Sequence, residues 1–136
     1  MFVIVVSFSR RPAQAAADAS GEADKNALVA EAEVLLATAK AGVQVIAPAH
    51  LALASRLLVA ADINAVPPAG VEGIGFMDDG APLAAISGKA AGIGPLAIGN
   101  VKYKVQQGLL QKMRETDKPL YLGFADCLDE ARLHAA

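Results

Sequence analysis

Residues 56–62 read Arg-Leu-Leu-Val-Ala-Ala-Asp, and residues 63–70 follow as Ile-Asn-Ala-Val-Pro-Pro-Ala-Gly. The first segment is mostly apolar up to its final carboxylate, which is typical of a strand buried on both faces of a parallel sheet. The second segment contains two prolines and a glycine, so it predicts an irregular loop directly after the strand. Ligands of open parallel sheets bind outside the carboxyl ends of the strands. The junction between the two segments is therefore a candidate binding site.

Two further segments have the composition of buried strands, Phe-Val-Ile-Val-Val at 2–6 and Glu-Val-Leu-Leu-Ala-Thr at 33–38. Helical patterns and weaker strand patterns occupy much of the remaining sequence. The predicted helices span residues 13–18, 23–32, a short stretch from Pro48, 96–115 and 125–133, and the weaker strands span 81–86 and 119–123. Because strands and helices alternate, the sequence predicts an α/β fold with a parallel sheet and flanking helices.

The composition narrows the class of protein. A chain of 136 residues with 54% hydrophobic residues fits one domain with its own core. The net charge of −2 and an aromatic content of 4% argue against nucleic-acid binding. No apolar stretch approaches the length of a membrane-spanning helix, and the single cysteine, Cys127, favours a reducing compartment. We therefore expect a cytoplasmic protein with neither a membrane nor a nucleic-acid partner.

Basic and hydroxyl side chains directly follow the first predicted strand. Ser9, Arg10 and Arg11 have the chemistry to clamp a phosphate group through charge-assisted hydrogen bonds. In dinucleotide-binding folds, the exit of the second strand meets the adenosine ribose, where arginine accommodates the 2′-phosphate of NADP. The alternative is a solvated basic loop that caps a strand.

The exits of the next two strands carry small and polar residues. Thr38, Ala39, Lys40 and Gly42 form a loop that a planar ring can approach closely, and Gly42 can adopt a positive φ. Both Asp62 and Asn64 have the chemistry to hydrogen-bond a carboxamide or the edge of a pterin, so all six residues are candidate cofactor ligands. The alternative at both exits is ordinary turn chemistry.

The long helix predicted over 96–115 has an apolar stripe at three- and four-residue spacing. Lys102 lies beside this stripe, where it can point along the domain surface towards a cleft; the alternative is a lysine that snorkels on the helix flank. Both His50 and His134 lack a partner at ligand spacing, so we expect surface residues and no metal site. The thiol of Cys127 is expected to be inert.

Three segments together resemble a known family: residues 38–45, 60–73 and 93–103. Within them, Asp-x-Asn-Ala-x-Pro-Pro at 62–68 is more specific than a generic dinucleotide-binding turn. The chain resembles the C-terminal part of the bacterial NAD(P)-dependent methylenetetrahydromethanopterin dehydrogenases, which are relatives of the methylenetetrahydrofolate dehydrogenases of one-carbon metabolism. The likeness covers nearly the whole chain and is weakest at 20–25.

This resemblance implies an oxidoreductase that uses NADP or NAD and a tetrahydropterin substrate carried on methanopterin or folate. Ser9, Arg10 and Arg11 would face the adenosine ribose and its 2′-phosphate. Residues 38–42 would lie near the nicotinamide, and Lys102 would face the pterin as the catalytic-site lysine. We also expect a homo-oligomer.

The sequence departs from the family pattern in one respect that bears on function. No Gly-x-Gly-x-x-Gly follows a strand, and the pterin-binding domain and first strand of the family have no counterpart. We therefore expect residues 1–136 to form a partial NAD(P)-binding domain, an incomplete Rossmann-like parallel sheet. Strand 2–6 would pair with strand 34–38 or with another chain, and cofactor affinity would be lost or very weak. The alternative function is a non-catalytic remnant or oligomerisation module.

Overall fold

The computed structural model describes residues 21–135, and the expectations for strand 2–6 and helix 13–18 lie outside this range. Four helices and four strands are described in it. In chain order they are α1 (Glu22–Glu31), β1 (Val34–Ala37), α2 (Pro48–Leu51), β2 (Val59–Asp62), β3 (Asp79–Pro82), β4 (Ala91–Ile93), α3 (Pro95–Arg114) and α4 (Phe124–Arg132). The chain divides after Ala97 into two compact units. The first contains the sheet and the second contains most of α3 and all of α4.

The sheet has the order β1-β2-β4-β3. Strand β2 pairs in parallel with β1 and with β4, whereas β3 runs antiparallel to β4. The α/β class is therefore confirmed, but the sheet is mixed rather than wholly parallel. The reason is the connection: residues 83–90 join β3 to β4 and are too few for the crossover of about a dozen residues that parallel pairing requires.

The core of the first unit lies around the parallel strands. It consists of aliphatic side chains from β1, β2 and the segments that flank them, among them Val29, Leu35, Ile46, Leu57, Ala60 and Val71. Alternate residues of β1 are buried, whereas three consecutive residues of β2 are buried because β2 has a strand on each side and is covered on both faces. The central strand therefore holds Asp62 at its carboxyl end inside the protein.

Two sequence-based assignments were wrong and one strand was missed. Residues 119–123 form no strand, and residues 81–86 contribute only the end of β3, which begins at Asp79. Strand β4 was missed, and its residues were interpreted as the segment that leads into the long helix; glycine, here Gly92, has low strand propensity. A Cβ at Gly92 would lie 3.2 Å from the Ile74 side chain, so close packing favours glycine in this interior strand.

Within residues 21–135, the helices predicted over 23–32, 96–115 and 125–133 are confirmed, with ends that differ by one residue, and the short helix predicted from Pro48 is α2. The second unit is a pair of helices in which none of the residues of α3 is buried. Its predicted apolar stripe is half-buried at Ile98, Val101, Val105 and Leu109, and Met113 is exposed. In the described part of the chain, no helix has both the length and the apolar character needed to cross a membrane.

Candidate functional site

The candidate site lies where β1 and β2 end, at the same edge of the sheet. The two strands are parallel and in register, with Ala37 opposite Asp62, so the loops that follow them leave the sheet side by side. These are the β1 exit loop, residues 38–45, and the β2 exit loop, residues 63–71. The predicted ligands of both exits are thus brought together.

Asp62 is 1% exposed and its carboxylate is bound entirely by backbone N–H groups. Its Oδ1 accepts a hydrogen bond from the N–H of Asn64 at 2.9 Å. Its Oδ2 accepts from the N–H groups of Gly70 at 2.6 Å and Val71 at 3.1 Å. Several N–H donors stabilise a carboxylate without a cation, so Asp62 ties both ends of the β2 exit loop to the sheet.

Asn64 is 3% exposed and joins the two exit loops. Its Oδ1 accepts hydrogen bonds from the N–H groups of Gly42 at 3.1 Å and Val66 at 3.0 Å. Its Nδ2 donates to the carbonyl oxygen of Pro68 at 2.8 Å. The turn chemistry that the sequence allowed at Asp62 and Asn64 is present, and one of these bonds also reaches the neighbouring strand exit.

Two glycines are required by this arrangement. Gly42 has a φ of 74°, the left-handed region that the sequence suggested, and in this conformation its N–H reaches Asn64. A Cβ at Gly70 would lie 2.7 Å from Oδ1 of Asp62. The role of Gly70 was missed from the sequence; its spacing after Asp62 offers no recognisable signal, because the contact depends on how the loop folds back.

The outer surface of the two loops is formed by other side chains. Thr38 and Lys40 are exposed on the β1 exit loop, and Ile63 and Val66 are each 50% exposed on the β2 exit loop. Lys40 is the one charged residue exposed in the two loops, since Asp62 is buried. The surface is therefore largely apolar, with the positive charge of Lys40 and, directly after the second loop, the exposed carboxylate of Glu72, which accepts a hydrogen bond from Gln44.

Lys102, another predicted site residue, is exposed on α3 and belongs to the second unit. Ser9, Arg10 and Arg11 lie outside the described residues. Among residues 21–135, no group of three or more His, Cys, Asp or Glu side chains is arranged to hold a metal ion.

The expectation that His50 is a surface residue was wrong, because it is only 5% exposed. Its Nδ1 accepts a hydrogen bond from the N–H of Ala47 at 2.8 Å, which leaves the proton on Nε2, 2.6 Å from Oε1 of Glu22. Hydrogen bonds from Lys25 and His50 hold the pKa of the Glu22 carboxyl below its ordinary value. His50 thus caps α2 and links it to α1. His134 is half-buried beside Glu130.

Comparison with known proteins gives one informative relative. No family model matches the chain. Over 102 residues, which is 75% of this chain, it is 45% identical to an NAD(P)-dependent methylenetetrahydromethanopterin dehydrogenase of Methylorubrum extorquens. The aligned part spans 34% of that relative, about a third of its length. The resemblance read from the sequence is thus confirmed: this chain is similar to part of an NAD(P)-dependent methylenetetrahydromethanopterin dehydrogenase.

Proposed function

We propose that this chain forms part of the NAD(P)-binding domain of a dehydrogenase that oxidises a methylene-tetrahydropterin. The observation that carries the proposal is the 45% identity to the Methylorubrum enzyme. The name of that relative favours methanopterin over folate as the carrier. The paired exit loops supply the location, because ligands of such sheets bind beyond the carboxyl ends of the strands.

The exit loops fit a dinucleotide in charge and shape. The exposed Lys40 suits a phosphate-bearing ligand, and the exposed carboxylate next to the loops, that of Glu72, is engaged by Gln44. The half-exposed side chains of Ile63 and Val66 offer an apolar surface for a ring. In this proposal Thr38, Ala39, Lys40 and Gly42 lie against the nicotinamide half of the cofactor.

The remaining assignments follow the resemblance. Ser9, Arg10 and Arg11 would bind the adenosine ribose and, in NADP, its 2′-phosphate, for which guanidinium groups provide paired donors. Lys102, exposed on α3, would contact polar groups of the pterin. A lysine in this role orients the substrate and contributes positive charge near it.

Residues 38–42 would hold the nicotinamide of NAD(P), which would supply an acceptor for a hydride from the methylene carbon that bridges two nitrogens of the pterin. Loss of the hydride with its electron pair would leave a methenyl cation stabilised by the two adjacent nitrogens. No proton has to move in this step, so the protein contributes mainly alignment of the donor and acceptor carbons. This requirement agrees with a site built from backbone, small and apolar groups.

The proposed binding of NAD(P) is tested by adding millimolar NADP to the ¹⁵N-labelled 136-residue chain and recording amide chemical shifts. Because the sequence has no Gly-x-Gly-x-x-Gly after a strand, we expect weak, saturable binding with Kd above about 1 mM. The shift changes should concentrate at 38–42 and 63–66. NAD is the matched ligand without the 2′-phosphate, and Arg10→Ala should weaken NADP binding more than NAD binding.

A folded chain that gives no shift change in either loop would contradict the cofactor proposal and favour a non-catalytic module. The pterin assignment has its own control on the same helix. With NADP present, tetrahydrofolate should shift the side-chain resonances of Lys102 and leave those of Lys104, which is also exposed on α3, unchanged. Equal responses of the two lysines would contradict the role of Lys102.

A further inference from the structure

The side chains of Asp62 and Asn64 are turned inward, away from the surface that a cofactor would contact. They are 1% and 3% exposed. Both oxygens of Asp62 accept hydrogen bonds from backbone N–H groups, and both polar atoms of Asn64 bond to loop backbone. Because both side chains are buried and bound to the loop backbone, they have little capacity to bind a further ligand.

We propose that Asp62 and Asn64 are positioning residues, which hold the two exit loops together so that the backbone and exposed side chains at 38–42 and 63–66 contact the cofactor. This inference rests on the function proposed above and changes the role of both residues from ligands to supports. Through the Gly42–Asn64 bond, a change at the end of β2 alters the loop after β1, twenty-two positions earlier in sequence.

The two exit loops meet at Asn64, because one oxygen atom of its side chain accepts a hydrogen bond from each loop. Its Oδ1 accepts the N–H of Gly42 from the β1 exit loop and the N–H of Val66 from its own loop. The positive φ of Gly42 turns the peptide N–H towards Asn64. Removal of this oxygen frees both N–H groups together and leaves the outer part of both loops without their shared contact.

Asp62 anchors the inner part of the same assembly. It binds the N–H of Gly70, and the carbonyl oxygen of Gly70 accepts hydrogen bonds from Val45 and Ile46 at 2.9 Å each. Val71 then forms an isolated parallel bridge with Ile46. The segments after β1 and β2 are therefore joined through buried or partly buried groups at two places, at Gly42–Asn64 and around Gly70. This double connection gives the loops one fixed spacing.

The chain offers a matched control for this inference. Gln44 and Glu72 also connect the two segments, through a side-chain hydrogen bond between Nε2 and Oε2 of 2.5 Å, but both residues are exposed. Gln44→Ala therefore removes a link between the same segments without releasing a buried N–H group. It should leave cofactor contacts unchanged.

The test measures amide hydrogen exchange and NADP-induced shifts in Asn64→Ala, Asn64→Asp and Gln44→Ala. Asn64→Ala should accelerate exchange at Gly42 and Val66 about tenfold or more and reduce the NADP-induced shifts at 39–41 by at least half. Asn64→Asp keeps an acceptor oxygen for the N–H of Gly42 but loses the Nδ2 donor to Pro68, so it should retain more protection at Gly42 and more of the NADP response than Asn64→Ala does. The aspartate variant also serves if Asn64→Ala does not fold.

The outcomes separate this inference from the proposed function. Full NADP-induced shifts at 39–41 in a folded Asn64→Ala chain, or unchanged exchange at Gly42, would overturn the positioning role and leave the proposed function intact. Equal losses in Asn64→Asp and Asn64→Ala would also overturn it, because the acceptor oxygen would not be what matters. If the Asn64 variants change amide exchange as expected but the unsubstituted chain shows no NADP-induced shifts, the proposed function would be overturned, and with it the role assigned to the loops.

Discussion

The two units each bury a carboxylate, and they stabilise it in opposite ways. Asp62 in the sheet is 1% exposed and is held by three backbone N–H groups without a cation. Glu130 in the helical unit is 6% exposed and is held by side chains, Lys112 at 2.7 Å and His134 at 3.3 Å. The first arrangement organises backbone, whereas the second joins two helices through long side chains.

The difference reflects what surrounds each carboxylate. Strand β2 is central and covered on both faces, so the only donors that reach its carboxyl end are peptide groups of its own exit loop. Helix α3 has no buried residue, and its apolar stripe is only half covered. Gly108 leaves room for Glu130, since a Cβ there would overlap its carboxylate. The ion pair between the exposed Lys112 and the buried Glu130 therefore joins α4 to α3.

Of the substitutions that test this comparison, the one at Asp62 has the largest expected effect. Asp62→Ala leaves three buried or partly buried N–H groups without an acceptor, and the free energy of unfolding should fall by about 3 kcal/mol or more. Urea unfolding followed by circular dichroism measures this loss. Glu72→Ala is the control, an exposed carboxylate in the same region whose removal should cost about 0.5 kcal/mol. Equal effects of the two substitutions would contradict the anchoring role of Asp62.

A smaller effect is expected from adding one methyl group beside the same carboxylate. Gly70→Ala places a Cβ 2.7 Å from Oδ1 of Asp62 and should destabilise the sheet unit by about 1–3 kcal/mol. Gly99→Ala is the matched substitution on α3, where a Cβ meets nothing within 4 Å. It should stabilise the helix by about 0.5–1 kcal/mol. Thermal unfolding measures the expected loss of stability in Gly70→Ala and the expected gain in Gly99→Ala. Unchanged stability of Gly70→Ala would show that Asp62 is free to move.

The smallest effect concerns the titration of Glu130. The hydrogen bond from Lys112 holds its pKa below the ordinary value of 4.5, against the opposing effect of burial and with help from His134. A lowered folded-state pKa stabilises the folded chain above pH 4.5, and this contribution is lost as pH falls through the lowered value. The same bond raises the pKa of Lys112 above 10.5, so its contribution disappears only as pH rises through that raised value.

A carboxyl ¹³C titration of Glu130 checks this. Lys112→Met should raise the pKa of Glu130, because the largest stabilising contact is removed while burial remains. Lys118→Met is the control: it removes the same formal charge from an exposed residue and should leave the titration of Glu130 in place. An unchanged midpoint in Lys112→Met would mean that the ion pair does not persist in solution.

Elements with a long sequence pattern were predicted more accurately than elements with a short one. The three- and four-residue spacing from Ile98 to Met113 predicted α3 within a residue at each end. The apolar runs predicted β1 and β2, although β2 begins only at Val59. Strand β4 escaped because three residues, Ala-Gly-Ile, carry almost no periodicity and form a strand only between two neighbours. Residues 119–123 were assigned as a strand on local composition, with no neighbour to pair with in the described sheet.

The candidate site was likewise predicted only in part from the sequence. The sequence identified both strand exits and the positive φ of Gly42. It did not distinguish a ligand from a support at Asp62 and Asn64, since carboxylates and amides serve equally well in both roles. His50 was misjudged for a related reason, because its partner Glu22 lies far away in sequence and on another helix.

The sequence alone determined the α/β class, the position of the loops at the carboxyl ends of β1 and β2, and the resemblance to a dehydrogenase family. These depend on local periodicity and on ordered motifs, which can be read along the chain. Only the tertiary structure decided that Asp62 and Asn64 face inward, that Gly70 must lack a side chain, and that β3 reverses direction. Such properties depend on which donors and neighbours the fold brings within about 3 Å of a given atom, and contacts between distant residues leave no local pattern in the sequence.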